Sequence, residues 1–291
     1  MRYRLRHYTH YRYDEPAEQA HNQVRMLLRE TPWQHCTMRS IRIRPRPAWS
    51  RLQRDGFDNR LLYLELDRPH RDFRIFVTHE VELRSRDLVA GESTENWQSL
   101  AQRLAEQADV ATREQVAYLF PSALVPTHAD LVELAKAHFR PGRPVLEAAL
   151  ALNSHINKEF EFDATATSVS TPVSEVLKRR RGVCQDFSHL LIAALRSLGL
   201  AARYVSGYIE TLPPPGRPRL VGADASHAWV SLWCGDAGWQ DLDPTNNSRP
   251  DQQHITTAWG RDYEDVIPLN GVVSGAGKKT ELEVKVDVLR L

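Results

Sequence analysis

The hydrophobic pattern changes period once along the chain, and that change limits the fold more than any other feature. Up to about residue 87, apolar residues recur at every second position. Tyr3 to Tyr13 alternates Tyr and Leu with basic or polar residues, and Ser40 to Pro45 alternates until its prolines. Arg60 to Leu66 follows the turn signal Gly56-Phe57-Asp58-Asn59, and Phe73 to Leu83 is a long alternating run. Side chains of a strand point to opposite faces in turn, so these runs predict antiparallel strands with one polar face, in a sandwich or open barrel. From Thr94 the spacing becomes helical. Thr94 to Val110, Ala129 to His138 and Leu146 to Phe160 each carry an apolar stripe, with Pro121, Pro126, Pro141 and Pro144 between them.

Ser170-Thr171-Pro172 begins a further helix that ends near Arg180. Another starts around Cys184 and runs to Gly199, placed as its C-terminal cap. Strands are expected at Ala202 to Ile209, His227 to Trp233, Gly238 to Leu242 and, in the tail, Thr280 to Leu289. The fold class is therefore α+β. Residues 1–90 form an N-terminal all-β, sandwich-like domain and 91–145 a helical connection. Residues 146–250 form a core of helices packed on an antiparallel sheet, and 251–291 a C-terminal extension ending in a β-strand. The glycine-rich stretch Gly271 to Lys279 reads as a mobile loop near the site.

At 291 residues the chain is long enough for two domains, and its net charge of +1 gives no polyanion signal, so no nucleic-acid partner is expected. The run Lys178 to Arg181 reads as a solvated helix end. Three cysteines, Cys36, Cys184 and Cys234, make no disulfide framework and fit a reducing compartment. Met1 to His7 has no apolar h-region, and no apolar stretch is long enough to span a bilayer. The expectation is a cytoplasmic protein with no membrane partner.

Cys184 follows Gly182-Val183 and opens a helix, where unpaired N–H groups and the positive end of the dipole favour a thiolate and offer oxyanion donors. His227 begins an alternating strand, so His227, Trp229, Ser231 and Trp233 share a face. If the turn Cys234 to Gly238 pairs Trp233 with Ala237 or Gly238, Asp243 falls opposite His227 to within about one residue. Cys, His and Asp in that order make a thiol nucleophile, a base and an orienting carboxylate. Taken singly, Cys184 reads as a small hydrophobe, His227 as a core histidine and Asp243 as the start of a turn before Pro244. Their coincidence favours the catalytic reading.

These segments resemble the transglutaminase-like superfamily, a branch of the papain-like cysteine enzymes, and most closely the bacterial group with an N-terminal β domain. Gly182 to Leu190 is similar to that family's Cys block, Ser226 to Val230 to its His block, and Asp243 to Asn246 to its Asp block. Tyr8 to Tyr13 and Gly260 to Pro268 resemble the flanking segments, so the likeness spans nearly the whole chain. It implies catalysis by Cys184, His227 and Asp243, acyl transfer or hydrolysis at peptide or carboxamide groups through a thioester, and a protein or peptide substrate. Protease or deamidase chemistry is slightly favoured over cross-linking; the alternative is a non-catalytic scaffold or peptide-binding module. No cofactor and no metal are expected; a set of Cys184, His189, His227 and Cys234 matches no ligand spacing. Two departures stand out: no tryptophan lies between Trp97 and Trp229 to serve as oxyanion donor, and Asp58 precedes Asn59 where the group usually has glycine.

Around this set, Gln185 is a candidate substrate contact and Asp186 supplies helix N-terminal electrostatics. Trp229 is a packing residue or a wall of the cleft, and His189 a core residue. Asp224 flanks the site, and Asp241 is expected to face solvent from its strand.

Overall fold

The computed structural model describes residues 1–210 and 226–291; Asp224 lies outside them. The chain opens with β1 (Arg2–Val24), β2 (Gln34–Arg44), β3 (Trp49–Arg54), β4 (Arg60–Leu66) and β5 (His70–Leu83). Helices α1 (Trp97–Glu106), α2 (Val110–Glu114), α3 (Ala129–Lys136) and α4 (Val145–Glu159) follow. Next come the short strand β6 (Glu161–Phe162), α5 (Val173–Arg179), its parallel partner β7 (Arg181–Gly182) and α6 (Cys184–Ser197). Strands β8 (Ala202–Ile209), β9 (Ser226–Trp233), β10 (Trp239–Leu242), β11 (His254–Gly260), β12 (Leu269–Gly275) and β13 (Thr280–Arg290) complete the chain.

Two antiparallel sheets result. In the first, β1 is the central strand: its first half pairs with β5 and β13, its second half with β4 and β12. Leu62, Leu64 and Leu66 of β4 share one core with Phe73, Ile75 and Val77 of β5, so the two halves of this sheet pack on each other as in a sandwich. The segment read as a mobile loop is in fact largely β12, held by backbone pairing to Ala17–Val24. Its glycines hid the strand because Gly carries a low β propensity.

The second sheet runs β10-β9-β8-β11. On one face lies α6, whose residues Asp186 to Arg196 are all buried. Leu190, Leu191, Ile192 and Leu195 have no exposed surface, and burial of each contributes roughly 1.5–3 kcal/mol. Gly199, at φ +76°, ends the helix as the sequence suggested.

The outer edge of this sheet, at β11, packs on the first one. Tyr3, Leu5, Val81 and Leu83 share a core with Tyr208 of β8 and Ile255 of β11. His7 Nδ1 lies 2.6 Å from the Tyr208 hydroxyl. Two side-chain amides bond the edge strand β11 as a neighbouring strand would. Gln34 accepts from the Thr256 N–H at 2.7 Å and donates to the Thr256 carbonyl at 2.7 Å. Asn59 does the same at Trp259, at 2.9 and 2.8 Å.

Candidate active site

The N-terminus of α6 is built around one carboxylate. Asp186 Oδ2 accepts from the Val183 N–H at 2.8 Å and from the Thr167 hydroxyl at 2.6 Å, which fixes the first turn and the residue it presents, Cys184. Burial pushes the Asp186 carboxyl up, and these two donors partly offset that. Gly182 is needed here because of close approach: an added Cβ would stand 2.7 Å from Asp186 Oδ2. Gln185 turns its amide outward onto the Val169 carbonyl at 3.0 Å. The neighbouring basic run is paired, Arg179 with Glu175, Arg180 with Glu159 and Arg181 with Glu161.

At the start of β9, His227 interacts with Cys184 and is hydrogen-bonded through Nε2 to Asp243 Oδ2 at 2.8 Å. The carboxylate only accepts, so Nε2 carries a proton, and Nδ1 is the nitrogen left for the sulfur. Burial alone would lower the imidazole's pKa; the bonds and charges of Asp243 and Cys184 outweigh it and raise it to about 10. Cys184 is partly exposed, while Cys36 and Cys234 are buried.

Asp243 is wholly buried, and its two oxygens do different jobs. Oδ1 accepts from the Thr245 and Asn246 N–H groups at 2.9 and 3.1 Å, forming the turn expected before Pro244. Oδ2 accepts from His227, from the Asn246 amide at 2.7 Å and from His254 Nε2 at 3.1 Å. The turn reading and the orienting reading therefore hold together. Burial would raise this carboxyl; the hydrogen bonds from His227 and His254 reverse that and hold it far below the usual carboxylate range.

The strand pairing differs from the sequence expectation by one to two residues. Trp233 pairs with Trp239, so Asp243 continues the ladder opposite Trp229, not His227, and reaches the imidazole diagonally. The helical turn Gly235–Ala237 takes up the extra length.

One further expectation is corrected. Asp241 does not face solvent: it is buried, accepting from Arg86 at 2.5 Å and from the Trp229 indole N–H at 2.9 Å. The free face assumed for its strand is covered by the segment after β5 that carries Arg86. Trp229, read as a packing residue or a wall of the cleft, is fully buried. Its ring stacks 6.1 Å from His227, beneath the imidazole.

His189 accepts from the Tyr263 N–H at 3.2 Å inside the core, where burial lowers its pKa to about 4. Cys184, His189, His227 and Cys234 do not assemble as a donor set. Among the described residues, the donors that do converge are His227, Asp243 and His254, whose ligand-type atoms lie within 4.8 Å of one another. Both nitrogens there are hydrogen-bond donors to the one carboxylate. His254 was not singled out in the sequence: its segment Asp251 to Gly260 has no clean alternation.

Comparison with known proteins assigns the family. Residues 132–244 match the transglutaminase-like superfamily model, and residues 3–82 match the bacterial transglutaminase-like N-terminal region. An uncharacterized protein of Mycobacterium tuberculosis is 38% identical over 99% of this chain and 92% of its own length. A Mycobacterium leprae protein is 32% identical over 100% and 99%. The chain belongs to the transglutaminase-like superfamily.

Within that superfamily, a protein-glutamine gamma-glutamyltransferase of Pseudomonas aeruginosa is 31% identical over 135 residues, 45% of this chain and 20% of that protein. The crystal structure of a candidate cysteine protease from Cytophaga hutchinsonii superposes with a TM-score of 0.75 at 20% identity, covering 100% of this chain and 91% of that one. This likeness shows the shared fold over the whole length. No helix among the described residues is long and apolar enough to cross a membrane.

Proposed function

We propose that this transglutaminase-like protein is a cysteine-dependent acyl-transfer enzyme acting on a peptide or carboxamide carbonyl. The observation that carries the reading is His227, interacting on one side with Cys184 and hydrogen-bonded on the other to a buried, ionised Asp243. With the proton held on His227 Nδ1, Cys184 Sγ attacks the carbonyl carbon, placing negative charge on the carbonyl oxygen. Backbone N–H groups at the start of α6 stabilise that oxyanion. The tetrahedral intermediate collapses as the C–N bond breaks, and His227 returns the proton to the departing amine or ammonia, leaving a thioester on Cys184. Asp243 keeps the imidazole in the required tautomer and orientation. Water, activated by the same imidazole, then releases the acid. We favour water over a lysine amine because hydrolysis needs no second macromolecular binding site.

The test combines labelling and turnover. Iodoacetamide at mildly acidic pH is expected to modify Cys184 well ahead of Cys36 and Cys234, and His227→Ala to remove that preference. Glutamine-containing peptides are expected to release ammonia with the native protein and not with Cys184→Ala. Equal labelling of the three cysteines, unaffected by His227→Ala, would instead indicate a scaffold that keeps the fold without the chemistry. Incorporation of a labelled amine in place of hydrolysis would overturn water as the second nucleophile.

A further inference from the structure

We propose that His254 is a positioning residue of this site, a fourth member that holds the orienting carboxylate in line with His227. The proposal rests on the thioester reading above. Three features support it. His254 Nε2 lies 3.1 Å from Asp243 Oδ2, the same oxygen that receives His227. His254 is 3% exposed, and its ring packs edge-on to Trp229 at 5.2 Å and 5.9 Å from the His227 ring. Its other nitrogen, Nδ1, is buried without a hydrogen-bond partner.

The last point is informative because an unpartnered buried acceptor is destabilising. An apolar ring of the same size would avoid that cost, yet the nitrogen ring stands where Nε2–H can meet the carboxylate. Burial lowers the pKa of His254, which keeps it a neutral donor beside the imidazolium that forms on His227. The ionisable groups facing it are Asp243, His227 and Arg86.

Topology explains why a second holder is needed. The Asn246 donors belong to the same turn as Asp243 and move with it. His254 is on β11, a separate strand hydrogen-bonded to β8. It therefore ties Oδ2 to the sheet and opposes rotation of the carboxyl about its Cβ–Cγ bond.

The experiment is the pH dependence of iodoacetamide alkylation at Cys184 in the full chain, for the native protein and for His254→Gln, His254→Asn and His254→Phe. Glutamine places an amide donor near the position of Nε2, asparagine is too short, and phenylalanine keeps the ring without a donor. The expected result is a native-like profile for His254→Gln. For the other two, the onset should move to higher pH, with a rate about tenfold lower at pH 6, since hydrogen bonds to charged groups carry effects of that order. The proposal is overturned if the cooperatively folded Asn and Phe variants keep the native profile, or if Gln shifts it as much as Asn. Should Phe fail to fold, the Gln–Asn comparison still decides. Native Cys184 labelling no faster than Cys36 would overturn the thioester reading itself, a result distinct from a profile unchanged by His254 substitutions.

Discussion

Asp186 Oδ2 sits 2.7 Å from the point where a Cβ on Gly182 would stand, while also accepting the Val183 N–H. A methyl group at residue 182 must displace the carboxylate that sets the first turn of α6. Gly182→Ala is expected to lower stability by about 1–3 kcal/mol, as other overpacked sites do, and to slow alkylation of Cys184. Urea unfolding together with the labelling rate checks both; an unchanged pair of values would rule out this role for Asp186.

Asp241 and Arg86 form an ion pair with both side chains about nine-tenths buried. Asp241→Ala would strand the guanidinium and the Trp229 indole N–H. Loss of one member of such a pair costs about 3–5 kcal/mol, and a fall of that size in urea stability is the expected outcome. Because Trp229 lies under His227, the labelling rate of Cys184 should fall as well.

Asp58 occupies the left-handed region at φ 61°, where the related group usually has glycine. Asp58→Gly relieves this strain, worth about 1 kcal/mol, and gives up an exposed contact to Arg54, worth little, and a long one of 3.5 Å to Arg29. The melting temperature is expected to rise by about 2 °C. A fall would show that the Arg54 and Arg29 contacts outweigh the backbone gain.

Burial lowers the pKa of His7, His79 and His189 to about 4 each. The unfolded chain takes up these protons below about pH 6.5, whereas the folded protein does so only near pH 4. Stability is therefore lost as pH falls through that window, by about 2 kcal/mol per histidine at pH 5. His227, raised to about 10, acts at the other end: its contribution is present below about pH 6.5 and fades as pH rises through 10. Urea midpoints at pH 7 and pH 5 test the acid side, and a flat comparison would contradict it.

The site was legible in the sequence where chemistry and chain order coincide. Cys184 at a helix start, His227 on an alternating strand and Asp243 beyond a short turn announce a meeting whatever the fine register. The register itself was less legible, because one helical turn at Gly235–Ala237 moves every pairing by a residue or two. Asp241 was misread because alternation reports two faces of a strand and cannot say that the segment carrying Arg86 covers the outer one. His254 was missed for a related reason. It is buried against Trp229 and Asp243, its segment carries no polar–apolar rhythm, and its partner is brought to it only by tertiary packing. Strand β12 escaped because backbone pairing to β1 overrides its weak local propensity.

The amide side chains of Gln34 and Asn59 complete the hydrogen bonding of β11 at Thr256 and Trp259. They serve as two isolated rungs of a strand that is never laid down. A fragment beginning after β5 would leave those rungs empty on the strand that carries His254, an open edge able to recruit a like edge from another copy. The N-terminal sheet is thus a seal on the second sheet as well as its neighbour, and the smallest portable form of this site spans both.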